Sequence, residues 1–79
     1  MSDDLFEKNA QVMEKMDSQT AAIISGTLRC LEKQGSKIRL KEPSANSVKF
    51  DIEAGDIDQV YACAKKLGVK TITQDSLEV

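Results

Sequence analysis

The chain has no histidine and no tryptophan, a single proline, and three aromatic residues in 79. Each shortage excludes something. Without histidine the commonest general base is missing, so acid–base chemistry would fall to carboxylates, lysines or the lone Tyr61. With only Phe6, Phe50 and Tyr61 as aromatics, the large ring contacts that dominate many cores and interfaces are scarce. Gly26, Gly35, Gly55 and Gly68 are isolated from one another, so neither a Walker loop nor a dinucleotide fingerprint is present. No run approaches the roughly 18–20 apolar residues of a membrane span, and the opening Met-Ser-Asp-Asp is acidic where a secretory signal would be basic and then apolar. The expectation is a cytoplasmic protein with no membrane partner. Cys30 and Cys63 match no zinc spacing and have no histidine to assist them, so no metal and no cofactor are expected. The simplest reading of both cysteines is a pair of reduced, part-buried thiols.

What is present fits one small domain, residues 1–79. A chain of this length hides only about 60–65% of the surface that its unfolded state exposes. With 41% apolar residues, the core is thin, and support from a partner or from a second copy is expected. Net charge is −2 with 30% charged residues, an ordinary soluble balance that argues against a strong nucleic-acid footprint.

Residues 3–34 read as helical. Ser2 is suited to cap the start, Asp3 and Asp4 suit the positive end of the helix dipole, and Leu5, Phe6, Val12, Met13 and Met16 follow at helical spacing. Asp17 and Ser18 offer a second cap, after which Ile23, Ile24, Thr27, Leu28 and Leu31 continue an apolar stripe to Gly35. Unbroken, this helix would be about 48 Å long, against a radius of gyration of about 12 Å for a compact domain of this size. So either it bends at Asp17-Ser18, or its first arm projects and packs on another chain. The second alternative is preferred here, because two other helical segments can already cover one face of a small sheet. Ser25-Gly26-Thr27 weakens the middle of the second helix and admits a close backbone contact.

Strict alternation in Lys37-Ile38-Arg39-Leu40-Lys41 and Val48-Lys49-Phe50-Asp51-Ile52-Glu53, with turn chemistry between, predicts a β-hairpin over 37–53. Pairing Leu40 with Phe50 and Ile38 with Ile52 also sets Arg39 opposite Asp51 and Lys37 opposite Glu53, and leaves a loop at 43–47. Ile57, Val60, Tyr61, Ala64 and Leu67 form the apolar face of a helix over 56–67, capped by Gly55 or Asp56 and ended by Gly68. A β-branched run at 69–74 predicts a third strand parallel to the second, and 75–79 reads as a solvated tail. The fold class is therefore α+β: an N-terminal helix, possible to bend near 17–18, then β-β-α-β with helices on one face of a three-stranded sheet.

No motif carries chemistry. Asp51, Glu53, Asp56 and Asp58 cluster at the strand-to-helix corner, but each has a structural job in this reading: two point outward from a strand, one caps and one lies on a polar helix face. Cys30 lies beside Arg29 and one turn from Lys33, an environment that favours a thiolate, yet it also borders the apolar stripe, as Cys63 does between Val60 and Leu67. Charge placement is more informative. Residues 1–17 hold five acids and two lysines, 18–42 hold five bases and two acids, and 43–79 hold six acids and four lysines. A basic strip of Lys33, Lys37, Arg39, Lys41 and Lys49 thus sits on a chain with an acidic arm.

These features point to a non-enzymatic regulatory or adaptor protein that binds a protein partner and self-associates as a homodimer. Its contact residues would be Leu5, Phe6, Val12, Met13 and Met16, where methionines suit adaptable surfaces. Two other readings fit the same residues. One is a nucleic-acid-associated regulator using the basic strip, which lacks the stacking aromatics that such surfaces use. The other is a small viral inhibitor of a host protein. A redox protein built on Cys30 or Cys63 is the remaining enzymatic possibility.

Overall fold

The computed structural model describes residues 3–79. Its elements, in chain order, are α1 (Asp3–Met13), α2 (Ser18–Lys33), β1 (Lys37–Lys41), β2 (Ser47–Ala54), α3 (Ile57–Leu67), β3 (Thr71–Ile72) and β4 (Ser76–Glu78). The class is α+β, with three helices packed on one four-stranded antiparallel sheet of order β1-β2-β4-β3. The Ser2 cap expected for the first helix lies outside the described residues.

The helical third bends where the sequence offers a second cap. The Asp17 carboxylate accepts a hydrogen bond from the Gln19 amide at 3.2 Å, opening α2, and the Asp17 amide donates to the Ala45 carbonyl at 3.0 Å. The elbow is thereby tied to the tip of the hairpin. This corrects the preferred expectation of a projecting arm. Once the chain turns at Asp17, α1 lies back along β1, Met16 is buried, and Val12 and Met13 pack against the core. The resulting radius of gyration is 10.9 Å.

The hairpin forms in the expected register: Ile38 faces Ile52, Arg39 faces Asp51 and Leu40 faces Phe50. Two details differ. An irregularity between Lys37 and Ile38 sets Lys37 against Ala54 rather than Glu53. The loop also begins one residue earlier, because Glu42 turns the chain at a φ of 47° and β2 starts at Ser47. Ile38, Leu40, Val48 and Phe50 point into the core, while Lys37, Arg39, Lys49, Asp51 and Glu53 stand on the solvent face.

The sheet has four strands where three were expected, and the segment read as a tail supplies the fourth. β4 pairs with β2, setting Leu77 beside Val48, and Leu77 is fully buried. The Thr73 hydroxyl accepts from the Ser76 amide at 3.0 Å and donates to Asp75 at 3.1 Å, closing the turn that brings β4 back. β3 does run in the same direction as β2, since both are antiparallel to β4, but β4 lies between them. The third strand is also shorter than expected. The Val69 amide still donates to the Ala64 carbonyl at the end of α3, so pairing begins only at Thr71.

Helices α2 and α3 run antiparallel and close together. A Cβ on Gly26 would come within 2.6 Å of Leu67 Cδ1, so the backbone of α2 takes the space a side chain would need. One turn further along, Cys30 and Cys63 are joined in a disulfide with a Cα–Cα distance of 5.7 Å, closing a separation of 33 residues. The expectation of two free thiols is overturned. The two cysteines lie on facing helices at a distance suited to bridging, a juxtaposition created by packing and invisible in their chain spacing. At the far end of this interface the Ser36 hydroxyl donates to Gln59 Oε1, which also accepts from the Asp56 amide at 2.9 Å and thereby anchors the start of α3.

Candidate functional site

The bend at Asp17 opens a groove between α1 on one side and α2 with β1 on the other. Its volume is about 550 Å³. Leu5, Phe6, Ala10 and Met13 of α1 form one wall, Ser25, Leu28, Arg29 and Glu32 of α2 the other, and buried Leu31 and Ile38 form the floor. Phe6 stands on the rim with 72% of its surface exposed, the most exposed large hydrophobic among the described residues. Burying a ring of this size would contribute about 1.5–3 kcal/mol.

Polar groups set the depth of the groove. Asn9 is almost completely buried at its base, where its Nδ2 donates to the Ile38 carbonyl and its Oδ1 accepts from the Leu40 amide, both at 2.9 Å. The side-chain amide thus takes the place of a neighbouring strand along the outer edge of β1. A residue of this type at the fourth position after Leu5 and the fourth before Met13, within an apolar stripe, signals a buried hydrogen-bonding role. That signal is in the sequence, though the stripe's periodicity draws attention to its apolar members alone.

The five residues expected at an interaction surface divide into two groups. Phe6 is exposed and Leu5 half-buried, and together with Met13 they line the groove. Met16 is enclosed at the elbow, and Val12 packs against the core. The structure therefore brings Leu5, Phe6 and Met13 together at one open site and assigns Met16 to the interior.

The basic strip also divides. Lys37, Arg39, Lys41 and Lys49 belong to the two hairpin strands, whereas Lys33 lies at the end of α2 beside Cys30 and Lys66, in the helical layer. Arg39 pairs with Glu53 at 3.0 Å, Lys41 with Asp51 at 3.1 Å and Lys49 with Glu42 at 3.9 Å. The first two pairs are diagonal, each cation reaching the carboxylate two residues away from its direct partner or its register neighbour. Each of the four corner carboxylates has a structural place: Asp51 and Glu53 hold these cations, Asp56 stands at the N-cap of α3, and Asp58 lies in its first turn, exposed. Among the described residues no group of three or more potential metal ligands converges, and no helix is long and apolar enough to cross a membrane.

No family model, no curated protein and no solved structure matches the chain.

Proposed function

We propose that this is a non-enzymatic regulatory or adaptor protein that works by protein–protein contact, and that it self-associates as a homodimer through α1 and the groove beside it. The exposure of Phe6 at the rim of an apolar groove carries this reading. In a two-fold arrangement the same patch serves both copies, so Phe6 of each protomer enters the groove of the other.

Charge supports a second copy as the occupant. Within α1 the acids Asp4 and Glu7 outnumber the single Lys8, while Arg29 and Lys37 outnumber Glu32 on the opposite side of the groove. Seating one α1 across a partner's groove sets acidic residues near basic ones, which favours this pairing over like-charged alternatives. The pairs on the sheet bear on the nucleic-acid reading in the opposite direction. Arg39, Lys41 and Lys49 each already face a carboxylate, which reduces the uncompensated positive charge that phosphate binding requires.

Sedimentation velocity across a concentration series tests the proposal. The expected result is a dimer forming in the micromolar range, with Phe6→Glu monomeric at every concentration and folded by circular dichroism. A strictly monomeric wild-type chain at high micromolar concentration would overturn self-association.

A further inference from the structure

Beside the disulfide the surface holds a second hollow, of about 300 Å³, lined by Gly26, Arg29, Cys30, Lys33, Gln34, Lys66 and Leu67. Three of these residues are cations and none is a carboxylate, on a chain whose net charge is −2. Cys30 opens onto this hollow, whereas Cys63 is sealed in the core at 1% exposure and is not part of the lining. The Gln34 amide reaches Cys30 Sγ at 3.9 Å. One sulfur of the bridge is thus presented to solvent within a positively charged rim, and the other is held behind it.

From this asymmetry we infer that Cys30 is a site of thiol–disulfide exchange with small anionic thiols, of the class of carboxylate-bearing monothiol peptides. Exchange requires a thiolate to approach one sulfur of the bridge and the other sulfur to leave. Arg29, Lys33 and Lys66 raise the local concentration of a negatively charged thiol and stabilise its thiolate at the point of attack. The incoming thiolate forms a new S–S bond with Cys30 Sγ as the Cys30–Cys63 bond breaks, and the electron pair leaves on Cys63 Sγ, which takes up a proton. A second thiolate then attacks the outer sulfur of the adduct, releasing the small-molecule disulfide and a Cys30 thiolate. Two monothiols are oxidised and the protein disulfide is reduced by two electrons. The consequence for the fold is local: the covalent tie between α2 and α3 is opened, and an intermediate carries an acidic adduct on α2.

The test uses the full oxidised chain and three monothiols of different charge: glutathione, neutral 2-mercaptoethanol and cationic cysteamine. Disulfide loss is followed by acid quenching and mass spectrometry, and each rate is divided by that of the same thiol on a small uncharged reference disulfide. At low ionic strength the normalised rate with glutathione is expected to exceed that with cysteamine by roughly tenfold or more, and to converge toward it at high salt. The double variant Lys33→Glu, Lys66→Glu keeps the disulfide and is expected to reverse the preference, and peptide mapping of any adduct should place it on Cys30. Equal normalised rates, a preference indifferent to salt or to the double variant, or an adduct on Cys63 would overturn the assignment. Opening that occurs only through global unfolding gives equal normalised rates and counts against it as well.

Discussion

The side chain of Asn9 is hydrogen-bonded to the backbone amide of Leu40, and the same carboxamide donates to the Ile38 carbonyl, so a helical residue closes the outer edge of the sheet. A strand edge with unpaired backbone groups invites pairing with other chains. Here α1 covers that edge with one residue whose donor and acceptor match a strand's own. Replacing Asn9 by Ala leaves a buried carbonyl and a buried amide without partners. With about 1–3 kcal/mol for each of the two unsatisfied groups, Asn9→Ala should lower unfolding free energy by about 2–6 kcal/mol in urea titration. Asn9→Asp keeps an acceptor for Leu40 but sets a carboxylate against the Ile38 carbonyl, so it should be at least as damaging at neutral pH. A stability within 0.5 kcal/mol of wild type, on the order of an ordinary surface substitution, would show that the edge does not need this bridge.

Gly55 and Gly35 make a paired test of backbone geometry. Both have positive φ, 98° and 79°, so an L side chain is disfavoured at either position by about 1–2 kcal/mol. Their surroundings differ. A Cβ at Gly35 meets nothing within 4 Å, whereas at Gly55 it would fall within 2.7 Å of Ser36 and Gln59 side-chain atoms. Those atoms form the hydrogen bond that anchors the start of α3 to the beginning of β1. Gly35→Ala should therefore cost about 1 kcal/mol and Gly55→Ala about 2–4 kcal/mol, since strain is joined by loss of a part-buried hydrogen bond. Equal losses in thermal or chemical denaturation would mean that conformation alone governs both sites.

The contrast between these elements explains what was legible in the sequence. The cap at Asp17, the hairpin register and the Gly68 end of α3 are local: a capping side chain, an alternation or a left-handed glycine carries the signal within a few residues, whereas the cap alone did not decide that the chain folds back there. β4 has three residues and one apolar anchor, Leu77, so its identity as a strand depends on Val48 lying opposite, far away in sequence. The Cys30–Cys63 bridge depends on the close crossing of α2 and α3, for which Gly26 was the only local hint. The apolar stripe of α1 was visible, but the angle of the elbow decides which members of it are enclosed. That angle is fixed by the contact of Asp17 with Ala45 and by Asn9 on β1, neither of which periodicity can reveal.

Phe6 and Met16 belong to the same stripe and should respond differently to truncation. Met16 is enclosed at the elbow at 8% exposure, and Met→Ala in a core typically costs about 2–5 kcal/mol. Met16→Ala should fall toward the lower end of that range, because the site borders solvent. Phe6→Ala removes an exposed ring and should leave monomer stability within about 0.5 kcal/mol of wild type. Concentration-dependent denaturation separates the two effects: Phe6→Ala should abolish any rise of stability with protein concentration, and Met16→Ala should lower stability while leaving that rise in place.

The disulfide should contribute to stability mainly by limiting the unfolded chain. Closing a loop of this separation, 33 residues, corresponds in the chain-entropy account to about 3–4 kcal/mol. The native state has little to lose when the bridge opens, because Cys63 remains packed among Val60, Ala64 and the sheet, and Gly26 still admits Leu67. The reduced chain should accordingly retain its far-ultraviolet circular dichroism under native conditions while its urea midpoint falls. The double variant Cys30→Ala, Cys63→Ala should match or slightly exceed that loss, since it also removes two sulfur atoms, one of them from the core. If reduction leaves the midpoint unchanged, the unfolded chain is already compact enough that the bridge restricts nothing; if reduction abolishes the helical signal, the bridge holds the α2–α3 packing itself and the entropic account fails.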